Sequence, residues 1–398
     1  LGFRHVTAPV LPWRRVSVDV LAPTFLSYAA QGAVLPALVV TAQQLGASAG
    51  VAAAVAAGFG VGQVLGAAPA GVLATRSGDR PVLVAASLLT AGCWVLALLA
   101  PTAVVLGGAA VAAGAGSAAF NVARQSYVVD AVPRELVGRV MSSLGGVGRI
   151  GLLLGALLAA GAQVVLGARG AYVAGAAGAA GAGLLVLVTG RGQRSRDADG
   201  PRAPRRSLLA VARGNGRVLL GLGVAASLIS SARGLRPVLL PLWALSVGVP
   251  PEVVSLLFGL TVAVELLLFY PAGAVMDRWG RFWVAVPCAT LMGLAMLVFA
   301  VTRSPAGLVV AAVLLGVGSG LGSGVVKTLG ADAAPHADRG AFLGLWVLVT
   351  DVGGSGGPVL AAALSAAFSL AVASAAMGLV TLGGAGWLAL LLRRRPAG

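Results

Sequence analysis

The sequence predicts an all-α integral membrane protein of twelve transmembrane helices, arranged as two pseudo-symmetric halves of six. Three observations carry that prediction. The 398 residues are 58% hydrophobic and only 10% charged, with a mean hydropathy of +0.96. A soluble domain needs about 25% charged residues to keep its surface wet, so lipid must be the solvent here. Apolar runs long enough to cross a bilayer recur twelve times. The stretch Pro271-Ala-Gly-Ala-Val-Met-Asp277-Arg278-Trp279-Gly280-Arg281 has a diluted copy at Gly71-Val-Leu-Ala-Thr75-Arg76-Ser-Gly78-Asp79-Arg80, 202 residues earlier. One short basic loop used once per half-chain implies an internal duplication.

A spanning helix needs about 20 apolar residues. On that rule the spans fall at roughly 16–41, 49–74, 81–100, 103–131, 139–166 and 169–189 in the first half. The second half gives roughly 217–246, 251–276, 282–302, 305–331, 340–367 and 369–392. Gly and Ala fill these runs, and small residues let helix backbones approach closely where no hydrophobic effect drives association. Residues 1–189 are thus expected to form an N-terminal six-helix bundle and residues 218–398 a C-terminal one. The polar stretch 190–217, rich in Arg with Asp197 and Asp199, reads as a basic cytoplasmic linker lying near anionic lipid.

Arginine position sets the expected topology. Arg4, Arg14 and Arg15 precede the first span, Arg76 and Arg80 follow the second, and Arg134 and Arg139 follow the fourth. Arg278, Arg281 and Arg339 take the matching places in the second half, and Arg393 to Arg395 end the sequence given. With twelve spans all of these lie on one side, whereas the opposite loops carry only Arg169 and Arg303. The positive-inside rule then puts both termini in the cytoplasm, in a multi-pass protein of the cell membrane. The same placement argues that the formal net charge of +16 serves topology rather than nucleic acid. Arg14 and Arg15 precede the first run without a small-residue cleavage site soon after it, so that run is expected to stay as a helix.

Cys93 and Cys288 sit singly inside apolar runs, and His5 and His336 are isolated, so no metal site or cofactor is expected. There is no Gly-x4-Gly-Lys-Ser/Thr loop and no nucleophile–base constellation, which excludes ATP as the driving force and argues against an enzyme.

The repeat holds without a gap from the first span to the fifth. Asp130-Ala-Val-Pro133 matches Asp332-Ala-Ala-Pro335, and Gly151-x3-Gly155 matches Gly353-x3-Gly357. Arg149 falls on Asp351, Gln63 on Glu265 and Gln31 on Arg233. The Asp-Ala-x-Pro pair reads as punctuation at the ends of the fourth and tenth helices.

These residues resemble the major facilitator superfamily of 6+6 transporters. The features that carry the resemblance are Gly273-x3-Asp277-Arg278-x-Gly280-Arg281, its copy with Gly71, Arg76, Gly78 and Arg80, the central loop and the twelve runs. The resemblance implies a gating loop whose Asp277 docks at the start of the fifth helix, near Arg139, in the outward-facing state. A carboxylate is favoured at a helix N-terminus. The first-half copy has Thr75 where the family has Asp, so that gate is expected to be weaker or built differently. A second, partial resemblance is to the fifth-helix motif of proton-driven exporters, as Gly151-x3-Gly155-Ala156-x2-Ala159-Ala160, with its Pro missing.

An ionisable side chain in a spanning helix costs about 2.5–3.5 kcal/mol on insertion scales, so such residues face a cavity, pair up or do work. The central set is Arg149, Arg233, Arg236, Glu265 and Asp351, with Asp19, Arg124 and Lys327 nearer the cytoplasm. The family resemblance implies that helix 5 packs on helix 8 and helix 2 on helix 11. Arg149 is then expected to pair with Glu265 across the halves, and Gln63 to meet Asp351. Glu265, Asp351 and Asp19 are the candidate proton carriers. Arg149, Arg233, Arg236, Arg124, Lys327, Gln31, Gln63 and Asn121, with Tyr28, are candidates for substrate binding, charge pairing or polar lining. Interruptions are expected at Arg233-Gly-Leu-Arg-Pro237 in helix 7 and at Gly353-Gly-Ser-Gly-Gly-Pro358 in helix 11.

The expected function is secondary active transport: proton-coupled efflux of a small organic molecule by alternating access, from a monomer embedded in the bilayer. An importer or facilitator of an organic anion or nutrient is the alternative, and a non-transporting membrane sensor or scaffold is a third reading. The five intramembrane basic residues make an anionic or neutral substrate at least as suitable as a cation.

Overall fold

The computed structural model describes residues 16–132, 134–189, 208–335 and 338–393. The expectations placed on Arg4, His5, Arg14, Arg15, Pro133, residues 190–207, His336, Arg394 and Arg395 lie outside the described residues.

Among the described residues, twelve helices are long and apolar enough to cross a membrane. In the first half they are α1 (Ser17–Gln44), α2 (Ala49–Ser77), α3 (Asp79–Leu98), α4 (Ala103–Asp130), α5 (Leu136–Leu166) and α6 (Arg169–Thr189). The second half supplies α7 (Gly216–Ser246), α8 (Pro251–Trp279), α9 (Phe282–Val301), α10 (Pro305–Ala333), α11 (Ala341–Ala367) and α12 (Leu370–Arg393). A short helix, Leu208–Gly214, precedes α7.

The duplication read from the sequence recurs in backbone detail, always at the same offset of 202. Both α1 and α7 begin with a π-helical turn, Ser17–Leu21 and Leu219–Gly223. Thr102 and Ser304 cap α4 and α10, each accepting a backbone N–H three residues on, at 3.4 and 3.3 Å. Such a cap satisfies a donor that the first helical turn leaves orphaned. Gly78 and Gly280 turn the chain after α2 and α8 at φ +82° and +90°, a region where a Cβ is strained.

Packing follows the same symmetry. In the first bundle α1 packs on α5 and α6, α2 on α4, and α3 on α4 and α6; in the second α7 packs on α11, α8 on α10, and α9 on α10 and α12. The two most extensive contacts between the bundles are α5 with α8 and α2 with α11, and α1 and α2 also meet α7. Gly32 and Gly155 lie where α1 meets α5, and a Cβ on either would strike the partner's backbone at Leu152 or Ala29. Glycine at these positions permits the close crossing.

The hydrogen bonds between bundles lie from mid-helix toward the face opposite the arginine-rich loops. Ser255 Oγ donates to Gln163 Oε1 at 2.8 Å, and Ser355 Oγ to the Gly60 carbonyl at 3.0 Å. A Cβ on Gly50 would press on Ala366 near that same face. Toward the arginine-rich face, no hydrogen bond or ion pair joins the bundles among the described residues. Among the described residues, the hydrogen bonds that clamp the bundles thus lie from mid-helix toward one side.

Candidate functional site

The site is built where α5, α7, α8 and α10 converge. Glu265 on α8 is buried and lies between two guanidinium groups. Arg149 on α5 donates from Nε to Oε1 at 2.9 Å, and Arg236 on α7 donates from Nη1 to Oε2 at 2.6 Å. Ser319 Oγ on α10 donates to Oε2 at 3.0 Å. A carboxylate buried in an apolar bundle persists only with such charge-assisted partners. Each arginine also lies over an aromatic ring of α8: Arg149 over Phe269 at 4.6 Å and Arg236 over Phe258 at 5.1 Å from the ring centroid.

Two of the three second-half helices at this cluster, α7 and α10, are broken there. The sequence led us to expect a break in α7, and α7 does turn at Leu235, between Val224–Gly234 and Arg236–Ser246. It also led us to expect a break at Gly353–Pro358 in α11, and that is corrected: α11 runs unbroken through Pro358 from Arg339 to Ala367. The glycines there serve packing instead, since Cβ atoms at Gly353 and Gly357 would collide with Ser227 and Ser231 of α7.

The second break lies in α10, between Pro305–Leu321 and Val325–Ala333. Sequence reasoning missed it, although the run Gly318-Ser-Gly-Leu-Gly-Ser-Gly324 carried the signal. The Ser323 N–H bonds the Gly320 carbonyl at 3.2 Å, which frees the carbonyl of Ser319. That carbonyl accepts from Arg233 Nη2 at 3.1 Å, and the Ser323 carbonyl accepts from Arg149 Nη2 at 3.5 Å. Unwound backbone inside a membrane bundle is tolerated where other groups take up its carbonyls, and here arginines do so. A Cβ at Gly322 would strike Cys288 Sγ and Arg233 Nη2.

The cluster is thus Arg149, Arg233 and Arg236 around a single carboxylate, Glu265. Three cations against one anion leave an uncompensated positive charge near mid-membrane. The Nε atoms of Arg233 and Arg236 are buried and have no hydrogen-bond partner among the described residues. Low local dielectric makes such a surplus attractive to an anion.

The other candidates are distributed as follows. Asp351 on α11 is exposed, and the nearby cation acting on it is Lys327 on α10, also exposed. No hydrogen bond joins Gln63 to Asp351 among the described residues; Gln63 Nε2 instead donates to Ser117 Oγ at 3.4 Å, within the first bundle. Arg124 is buried over Tyr28, 5.7 Å from the ring centroid, and donates to Thr24 Oγ1 at 3.3 Å. Gln31 donates to the Ser27 carbonyl at 3.4 Å, and Asn121 Oδ1 is buried without a hydrogen-bond partner among the described residues. Asp19 lies in the π-helical turn of α1.

At the loop after α8, Arg281 Nε donates to Asp332 Oδ2 at 2.9 Å and its Nη1 to the Met276 carbonyl at 3.3 Å. In the first-half copy Arg80 does something different, donating to the Leu187 and Val186 carbonyls of α6 at 2.6 and 3.4 Å. Arg76, Arg278, Asp277 and Arg139 are exposed, and no ion pair joins Asp277 to α5 among the described residues. Neither Gly71 nor Gly273 is crowded.

Comparison with known proteins gives a consistent result. The sequence profile described as Major Facilitator Superfamily matches residues 21–232 and again 219–398. The arabinose-proton symporter of Bacillus subtilis (strain 168) is 32% identical over 147 residues, which is 37% of this chain and 30% of that relative. The match thus spans less than a third of the relative's length. Among solved structures, a POT family transporter in complex with a thioalcohol conjugated peptide superposes with a TM-score of 0.78 at 12% identity, over 96% of both chains. The nucleoside transporter NupG superposes with a TM-score of 0.74 at 16% identity, over 95% of this chain and 98% of that one. At these identities the two structures speak for the fold alone.

Proposed function

The chain belongs to the Major Facilitator Superfamily and is a multi-pass secondary transporter, and from that premise we propose that it couples proton movement to the export of a small organic molecule. The observation that carries this reading is the Arg149–Glu265 ion pair, 2.9 Å long, joining α5 of one bundle to α8 of the other. Alternating access requires these bundles to rock against each other, so an ion pair between them is a natural switch. Protonation of Glu265 removes the charge that holds Arg149 and Arg236, and the α5–α8 contact loosens. Asp351, exposed beside Lys327, is the second carboxylate of the cycle.

In this reading the arginine-rich face is cytoplasmic, following the positive-inside rule. The clamps at Gln163–Ser255 and Gly60–Ser355 then close the outer side, and the structure represents an inward-facing state. In the opposite state Asp277 docks near Arg139, two groups left exposed here. The surplus of guanidinium groups at the centre favours an anionic substrate.

One observation favours a second reading, uptake by symport: the local 32% identity to a protein named as an arabinose-proton symporter. The sign of a substrate-triggered proton flux in proteoliposomes separates the two. Under export, protons and substrate move in opposite directions; under uptake they move together.

A further inference from the structure

We propose that the substrate is an amphipathic anion, an acidic head joined to an apolar tail, and that its tail lies in a cleft between α5, α8 and α10. This rests on reading the central arginines as substrate ligands.

The cleft has a volume of about 240 Å³ and is lined by Ser142, Phe269, Tyr270, Gly273, Met276 and Leu321. It lies where α5 and α8 meet, on the arginine-rich side of the Arg149–Glu265 pair. Its lining is mostly apolar, and it is smaller than the roughly 300–1,000 Å³ of a cavity that encloses a whole drug-sized ligand. It therefore suits one limb of a ligand whose head lies elsewhere.

The inner end supplies the head's place. Phe269 walls the cleft, and the Arg149 guanidinium lies 4.6 Å from that ring's centroid. Leu321 and Gly324 flank Ser323, whose carbonyl accepts from Arg149 at 3.5 Å. An apolar cavity thus ends against the cluster that carries the surplus positive charge, with Arg233 and Arg236 behind it.

The outer end meets lipid. Tyr270 on its rim is 81% exposed and Leu267 beside it 76% exposed. A bare Tyr near the end of a spanning helix suits the membrane–water interface, with the bare Leu on its lipid side. A molecule already in the leaflet can pass its tail sideways between α5 and α8 while its head reaches the arginines.

The test uses alkyl sulfonates, which stay ionised and do not cross a bilayer unaided. Uptake of ethanesulfonate, hexanesulfonate and decanesulfonate into proteoliposomes is compared with uptake into protein-free vesicles. Each methylene that enters the cleft is expected to tighten binding by about fourfold until the cleft is full. The Ser142→Trp variant, which fills the cleft, is expected to raise the KM for decanesulfonate at least about tenfold and that for ethanesulfonate less than about twofold. Partition into lipid is the same for both proteins, so it cannot produce that split. Ser142→Leu serves where the larger side chain impairs folding and is expected to give the same split more weakly.

Equal KM shifts for long and short sulfonates, or none for either, overturn the cleft while saturable sulfonate flux keeps the anion reading. Absence of protein-dependent flux for every sulfonate overturns the inference. Flux of decyltrimethylammonium in the same vesicles then shows that the carrier is active and that the anion reading falls with it.

Discussion

Arg149 of α5 and Glu265 of α8 are bonded at 2.9 Å across the two bundles, yet their repeat counterparts, Asp351 and Gln63, make no such contact. The two interfaces that the pseudo-symmetry makes equivalent are therefore built differently. The α5–α8 crossing is held by charge, and the α2–α11 crossing by a neutral bond from Ser355 to the Gly60 carbonyl at 3.0 Å.

Removing the carboxylate strands two buried guanidinium groups. Glu265→Ala is expected to destabilise the detergent-solubilised protein by about 3–5 kcal/mol, the usual cost of breaking a buried pair from one side. Thermal unfolding measures it. Pairing Arg149→Gln with Glu265→Gln is expected to recover about 1–3 kcal/mol relative to the sum of the single changes, in a double-mutant cycle. Additive effects mean that the two residues act independently.

The α10 break depends on a missing side chain. Gly322→Ala places a Cβ against Cys288 Sγ and Arg233 Nη2 and is expected to cost about 1–3 kcal/mol of overpacking. Transport is expected to fall at least about tenfold because Arg233 is displaced. Gly383→Ala on α12, where a Cβ meets nothing, is the control and is expected to stabilise slightly or not at all. Uptake assays alongside thermal melts separate the two effects.

The clamped side is open to a cross-linking test. Cysteines at Gly60 and Ser355, bridged by a short bifunctional reagent, are expected to form a cross-link that stops transport. Cysteines at Arg139 and Asp277 are expected to cross-link only when substrate or a pH gradient drives the bundles to the opposite state. Equal cross-linking at both sites under all conditions contradicts a rocking cycle.

The Arg281–Asp332 pair is a weaker structure than the central one, with side chains 33% and 45% exposed. Arg281→Gln is expected to lower stability by less than about 1 kcal/mol. A thermal melt shows this. A much larger loss means that the loop after α8 is load-sharing with the bundle rather than resting on its surface.

Much of this molecule was legible in the sequence, and for a physical reason. Lipid imposes a length and a polarity on every span, so twelve runs could be counted from hydropathy. Duplication then let positions be checked against their partners 202 residues away, as with Asp130 and Asp332 or Gly78 and Gly280. The Arg149–Glu265 contact was reachable because the family resemblance implied that helix 5 packs on helix 8.

Interaction partners within one bundle were not legible. Glycine runs read alike whether they break a helix or let one pack closely, so the break was placed in α11 rather than in α10. What separates the two is the neighbour: serines of α7 press on Gly353 and Gly357, whereas arginines take up the carbonyls freed near Gly322. Nothing in hydropathy reveals which side chain stands opposite. Arg236 was a candidate for charge pairing, but its partner Glu265 could not be named, for the same reason.

The most direct measurement is proton flux into proteoliposomes loaded with a trapped pH indicator, challenged with neutral, cationic and anionic compounds, in wild type and Glu265→Gln. A compound-triggered flux that is present in wild type and lost in the variant is the expected result and places the proton switch on α8. A flux that survives Glu265→Gln unchanged contradicts the account and leaves the Arg149–Glu265 pair a static part of the scaffold.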